Sequence, residues 1–88
     1  MTITLEDGFS LEVRDNFMDN MELIDALAEM TSDEDVLAIS KICRLMMTEG
    51  QRKSLYDHMR EKDGRVPIAA VGKAIRSVFD AIGGNEKN

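Results

Sequence analysis

Cys43 and His58 are the only side chains in this 88-residue sequence that could pair an obvious nucleophile with an obvious base. A cysteine becomes a strong nucleophile when a nearby histidine takes its proton, so the first question is whether the fold could join them. The sequence argues otherwise. Cys43 lies within the apolar arc of one helical pattern, where a small buried thiol is expected. His58 lies on a different helical pattern, among charged residues, and reads as a solvated surface side chain. One histidine and one cysteine fall short of a standard zinc site. The acidic run Asp33-Glu34-Asp35 lacks the glycine and the distal glutamate of a calcium loop, and the charge preference of a helix start explains it better. Gly83-Gly84 follows a helical segment, whereas a phosphate-binding loop precedes one. Acyl carrier proteins are also small, acidic and helical, but their carrier serine sits in Asp-Ser-Leu; the nearest stretch here is Lys53-Ser54-Leu55. No catalytic, cofactor-binding or metal-ligating set emerges, and the expectation is a protein that is not an enzyme.

Binding must then be read from composition. A chain of 88 residues is expected to form a single domain spanning 1–88, since a second could not bury its own core. Four aromatic residues and no tryptophan leave the core to Leu, Ile, Val and seven methionines. A lone cysteine allows no internal disulfide and suits a reducing cytoplasm. No apolar run approaches the roughly 20 residues of a membrane span, and no leader pattern opens the chain. Charge is divided along the sequence. Residues 1–35 hold eleven acidic side chains against Arg14 alone, for −10, and residues 36–88 hold six acidic and ten basic ones, for +4. Such a split can steer a polar partner or organise contacts between copies. The net charge of −6 argues against direct binding to a phosphate backbone.

The pattern of elements is mainly α: a compact four-helix domain over 18–82, preceded by a β-hairpin over 2–13 and followed by a flexible polar tail over 83–88. Ile3 and Leu5, then Phe9, Leu11 and Val13, alternate onto one side, and Asp7-Gly8 between the runs favours a type I′ turn. The first helix, MDNMELIDALAEM, has Asp19 and Glu22 in capping-box spacing. Leu23, Ile24, Leu27 and Met30 gather on one side of it, against Glu22, Asp25 and Glu29 on the other. Ser32 is placed to cap a second helix whose apolar arc is Val36, Ile39, Ile42, Cys43, Met46 and Met47, with Leu37 and Leu45 outside it.

Thr48 and Gln51 form another capping pair, opening a third helix with a thin apolar side of Leu55, Tyr56 and Met59. The stretch EKDGRVPIAAV then stops one helix and starts another. Gly64 is placed to close the third helix in the left-handed conformation, and Pro67 to open the fourth. That last helix carries Ile68, Val71, Ile75, Val78, Phe79 and Ile82 on one face. Leu27, Ile39, Cys43, Leu55, Ile75 and Phe79 are expected in the core.

The order of these pieces carries a resemblance. DNMELIDALAEM, then LMMTEGQRKSLYDHMREKDGRVPIAAVGKAI, then a short polar tail, resembles the short tail assembly chaperones of long-tailed (siphovirus) phages and prophages. The likeness runs from GFSLEV to the last helix, and its most distinctive part is the helix ending in Lys-Asp-Gly-Arg-Val-Pro and resuming at once. The resemblance implies a non-catalytic chaperone in the host cytoplasm, absent from the mature virion. It would bind the long, helical, aggregation-prone tape measure protein and hold it soluble until tail tube protein polymerises around it. It further implies a longer product, made when ribosomes slip back one nucleotide near the end of the short frame, whose added segment recruits tail tube protein. Glu86-Lys87-Asn88 and Gly83-Gly84-Asn85 can both be encoded by heptamers that permit such a slip.

The residues suit that work. Methionine is unbranched and polarizable, so exposed methionines adapt to varied helical partners. Leu37, Leu45, Met46, Met47 and Met59 are therefore the expected partner-binding set, with Leu37 and Leu45 extending a groove for an amphipathic helix. An exposed apolar face of this kind also invites self-association. Two other readings compete. A small acidic helical protein can act as an inhibitor or regulator that imitates nucleic acid, using the carboxylates of its N-terminal part. RVPIAAVGKAIR, with Arg65, Lys73 and Arg76, could belong to a helix-turn-helix repressor, but the net charge and the short turn before Pro67 oppose that.

Overall fold

The computed structural model describes residues 1–30 and 35–83. Two strands and four helices follow in order: β1 (Thr2–Thr4), β2 (Ser10–Glu12), α1 (Met21–Glu29), α2 (Val36–Met46), α3 (Glu49–Met59) and α4 (Ile68–Gly83). The mainly helical architecture with an N-terminal hairpin is as the sequence leads one to expect. Ser32, the first two residues of the acidic run and the tail beyond Gly83 lie outside the described residues.

The strands pair antiparallel, with Thr2 opposite Glu12, Ile3 opposite Leu11 and Thr4 opposite Ser10. Alternation puts Ile3, Leu5, Leu11 and Val13 into the core. The turn differs from expectation. A type I′ turn needs both central residues at positive φ, but only Gly8 (φ +93°) is there. Leu5 N–H donates to Phe9 O (2.8 Å) and Gly8 N–H to Leu5 O (2.9 Å), closing a three-residue loop of the bulged kind.

Because an isolated hairpin is marginal, its unpaired backbone must be tied down elsewhere. Glu12 N–H donates to Gln51 Oε1 of α3 (3.1 Å). Arg14 N–H donates to Met46 O (2.8 Å), satisfying a carbonyl at the end of α2. Two successive turns with Asn16 at φ +60° then lead to α1. These turns, and not a helix from residue 18, occupy Met18 and Asp19. The N-cap is accordingly Asn20, whose Oδ1 accepts from Glu22 N–H (3.0 Å), and not Asp19.

Helix α2 is the centre of the fold, packed against α1, α3 and α4. Ile39, Ile42, Cys43 and Met46 point from it into one continuous core with Leu11, Leu23, Leu55, Ile75 and Val78. Of the expected core residues, Leu27 and Phe79 are only half-buried and pack on its edge; Phe79 sits 6.0 Å from Phe17, ring centre to ring centre. Thr48 caps α3 as expected, its Oγ1 accepting from Gln51 N–H (3.3 Å).

The corner between α3 and α4 is built differently from the expected glycine stop. Helix α3 ends at Met59 with Arg60 as its C-cap, several residues before Gly64. Glu61 N–H donates to Arg65 O (2.8 Å) and Gly64 N–H (φ +92°) to Glu61 O (2.9 Å). That is the bonding of the hairpin loop again. In both loops the aspartate before the glycine accepts from the N–H two residues on, at 3.0 Å: Asp7 from Phe9 and Asp63 from Arg65. Arg60 braces the second loop, reaching Gly64 O and Asp57 Oδ1, each at 2.8 Å.

Candidate partner-binding surface

The five side chains expected to meet a partner are not gathered on one surface. Met46 and Met47 are fully buried, and this corrects their assignment as partner-binding residues. They stand at the end of α2, Met46 as its last residue and Met47 as its C-cap, and both belong to the continuous core. Leu45 is half-buried and packs on the core edge. Leu37 stands in solvent, 83% exposed, as its place outside the apolar arc implied. Met59 is half-buried and lines a cleft of about 200 Å³ with Leu5, Asp7, Lys73 and Ser77, between the hairpin loop and α4.

A second cleft is better suited to an apolar guest. It measures about 220 Å³ and is lined by residues from the N-terminal parts of α2 and α4 and by Tyr56 of α3. Ile39, Tyr56, Val66 and Val71 line it, and Val36 and Ile68 form its rim. Both rim residues fall on the apolar arcs of their helices, yet Val36 is 50% exposed and Ile68 46%. The cause is position: a first-turn residue has core beneath it only if a neighbouring element extends that far. Pro67 fixes where α4 starts, and the Pro67 carbonyl accepts from Val71 N–H (3.3 Å), so Ile68 is held at the mouth of the cleft. Periodicity places Val36 and Ile68 on the apolar arcs of their helices, and their position at a helix start is the signal for the rim.

His58 is more than a solvated residue. Its Nε2 lies 2.7 Å from Asp7 Oδ2, and its ring stacks on Phe9 with centroids 4.1 Å apart and planes 15° from parallel. The hydrogen bond to His58, and then the Phe9 N–H, hold the Asp7 carboxyl below its ordinary range. The Asp7-Gly8 loop makes this contact possible, since its geometry sends the Asp7 side chain and Phe9 towards α3. His58 of α3 joins the hairpin to the third helix through Asp7 and Phe9.

Cys43 sits in the core, as expected, and burial pushes its thiol up to about 11, against a smaller opposing pull from the Tyr56 hydroxyl. Among the described residues no three His, Cys, Asp or Glu side chains group closely enough to hold a metal ion, and no helix is long and apolar enough to cross a membrane. No family model matches the sequence, and no curated protein or solved structure shows significant similarity to the chain.

Proposed function

We propose that the protein is a tail assembly chaperone that binds an amphipathic segment of a tape measure protein and keeps that chain soluble until tail tube protein polymerises around it. Two things support the reading: the order of motifs from GFSLEV to GKAI in the sequence, and the apolar cleft framed by Val36 and Ile68. The cleft carries the physical case. A helix laid across the mouth could seat apolar side chains on Ile39 and Val71, with Val36 and Ile68 gripping its flanks. Tyr56 adds a rigid, amphipathic wall of the kind that binding pockets favour. The role is non-catalytic and belongs to the host cytoplasm.

The test is co-expression with the tape measure gene expected directly downstream of this one. Wild-type protein should move the tape measure chain from the pellet into the soluble fraction. The double variant Val36→Ser/Ile68→Ser should lose most of that effect while keeping its helical circular dichroism. Equal solubility with and without the wild-type protein would end the proposal.

A further inference from the structure

We infer that the outer face of α1 is a second interaction surface, one that takes a basic amphipathic helix. Helix α1 buries Leu23 and Ala26 and half-buries Leu27 and Met30. An amphipathic helix with one buried side should present a polar opposite side. Here half of that opposite side is apolar. At about 100° per residue, Ile24, Ala28 and Met21 succeed one another around the exposed arc. All three are exposed, Met21 at 70%.

The rest of the arc names the occupant. Asp25, Glu29 and Glu22 follow Met21 in angle and form one continuous acidic edge beside the stripe, spanning about 10 Å along the axis at 1.5 Å per residue. All three are exposed, and among the described residues none of them takes part in an ion pair. No basic residue stands in α1. The exposed carboxylates Asp57, near the end of α3, and Asp63, in the loop after it, are by contrast matched to Arg60 and Arg65. An apolar stripe with one uncompensated acidic edge is complementary to a helix whose own stripe is bordered by Lys or Arg at the same three-and-four spacing. None of these residues lines the cleft framed by Val36 and Ile68, so the two surfaces can be tested separately.

The experiment titrates the full chain with two model peptides of about 18 residues, long enough to hold a helix: one of Leu and Lys in amphipathic order, and its Leu/Glu counterpart. The Leu/Lys peptide should bind, weakening as salt rises from about 50 to about 500 mM, and the Leu/Glu peptide should not. Glu22→Gln/Asp25→Asn/Glu29→Gln and Met21→Ser/Ile24→Ser should each weaken binding by about tenfold or more. Val36→Ser/Ile68→Ser should leave it unchanged. Amide shift changes on wild-type protein supply a readout that needs no variant, and they should centre on Met21 to Glu29. The inference is overturned if both peptides bind alike, if neither binds, or if the shifts centre on Ile39, Val71 and Ile68. It is equally overturned if the chain is dimeric and Met21→Ser/Ile24→Ser makes it monomeric, because a second copy would then be the occupant.

Discussion

His58 and Asp7 meet at 2.7 Å although 51 positions separate them in the sequence, and this contact fastens the hairpin loop to the end of α3. Phe9 stacked on the imidazole closes the same junction from its apolar side. The hairpin is thus held at both ends, by Gln51 on the β2 backbone and by His58 on the loop.

That junction gives the protein an acid sensitivity of stated sign. The folded Asp7 carboxyl titrates below its unfolded value of about 3.9, so its contribution is fully present above that pH and is lost as pH falls through the folded value. Urea midpoints of the wild type should therefore fall more steeply than those of Asp7→Asn below about pH 4. Parallel curves for the two proteins would show that Asp7 adds nothing to acid stability.

Truncation should separate the two faces of α2. Met46→Ala removes a fully buried side chain and should cost about 2–5 kcal/mol. Leu37→Ala touches a side chain that is 83% exposed and should stay within about 0.5 kcal/mol. Urea denaturation of both variants checks this, and similar losses at the two sites would mean that α2 is rotated from the position described.

Glycine substitutions should divide by backbone and not by space. An added Cβ meets nothing within 4 Å at Gly8, Gly50 or Gly64, but Gly8 and Gly64 sit at positive φ. Alanine at either loop glycine should cost about 1–2 kcal/mol from conformation alone. Gly50 lies in α3, where alanine should stabilise by up to about 1 kcal/mol. Thermal melts would expose an error if Gly50→Ala proved the most damaging of the three.

Cys43 should resist modification. With its thiol buried and held at about 11, iodoacetamide at pH 8 should leave the native chain unlabelled and label it promptly in denaturant, as read by mass. Rapid labelling of native protein would place α2 at the surface.

What could be read from the sequence depended on how local its cause was. The hairpin alternation, the four helical patterns and the Thr48 cap all rest on neighbours within a few residues, and all are present. Even the capping pair shows the limit: Gln51 donates its N–H to Thr48, but its side chain goes to β2, a partner 39 positions away. Met46 and Met47 were misassigned for the same reason, since the core they join is assembled from residues as distant as Leu11 and Ile75. The bulged form of the hairpin loop, and with it the His58 contact, was hidden because Asp-Gly suits more than one turn. Leu37 was legible from its place outside the apolar arc, but Leu45, outside the same arc, packs on the core edge.

The twin loops at Asp7-Gly8 and Asp63-Gly64 bear on how the chain ages. An aspartyl-glycyl bond isomerises when the glycine nitrogen closes onto the aspartyl side-chain carbonyl, forming a succinimide that reopens as isoaspartate. In both loops that nitrogen is committed to a carbonyl three residues back, and the aspartate accepts from the N–H two residues on. The fold that shapes these loops also withholds the nucleophile from its target. Isoaspartate should accumulate at both sites in denatured protein and scarcely at all in folded protein stored alongside it, so its level would serve as a clock of time spent unfolded.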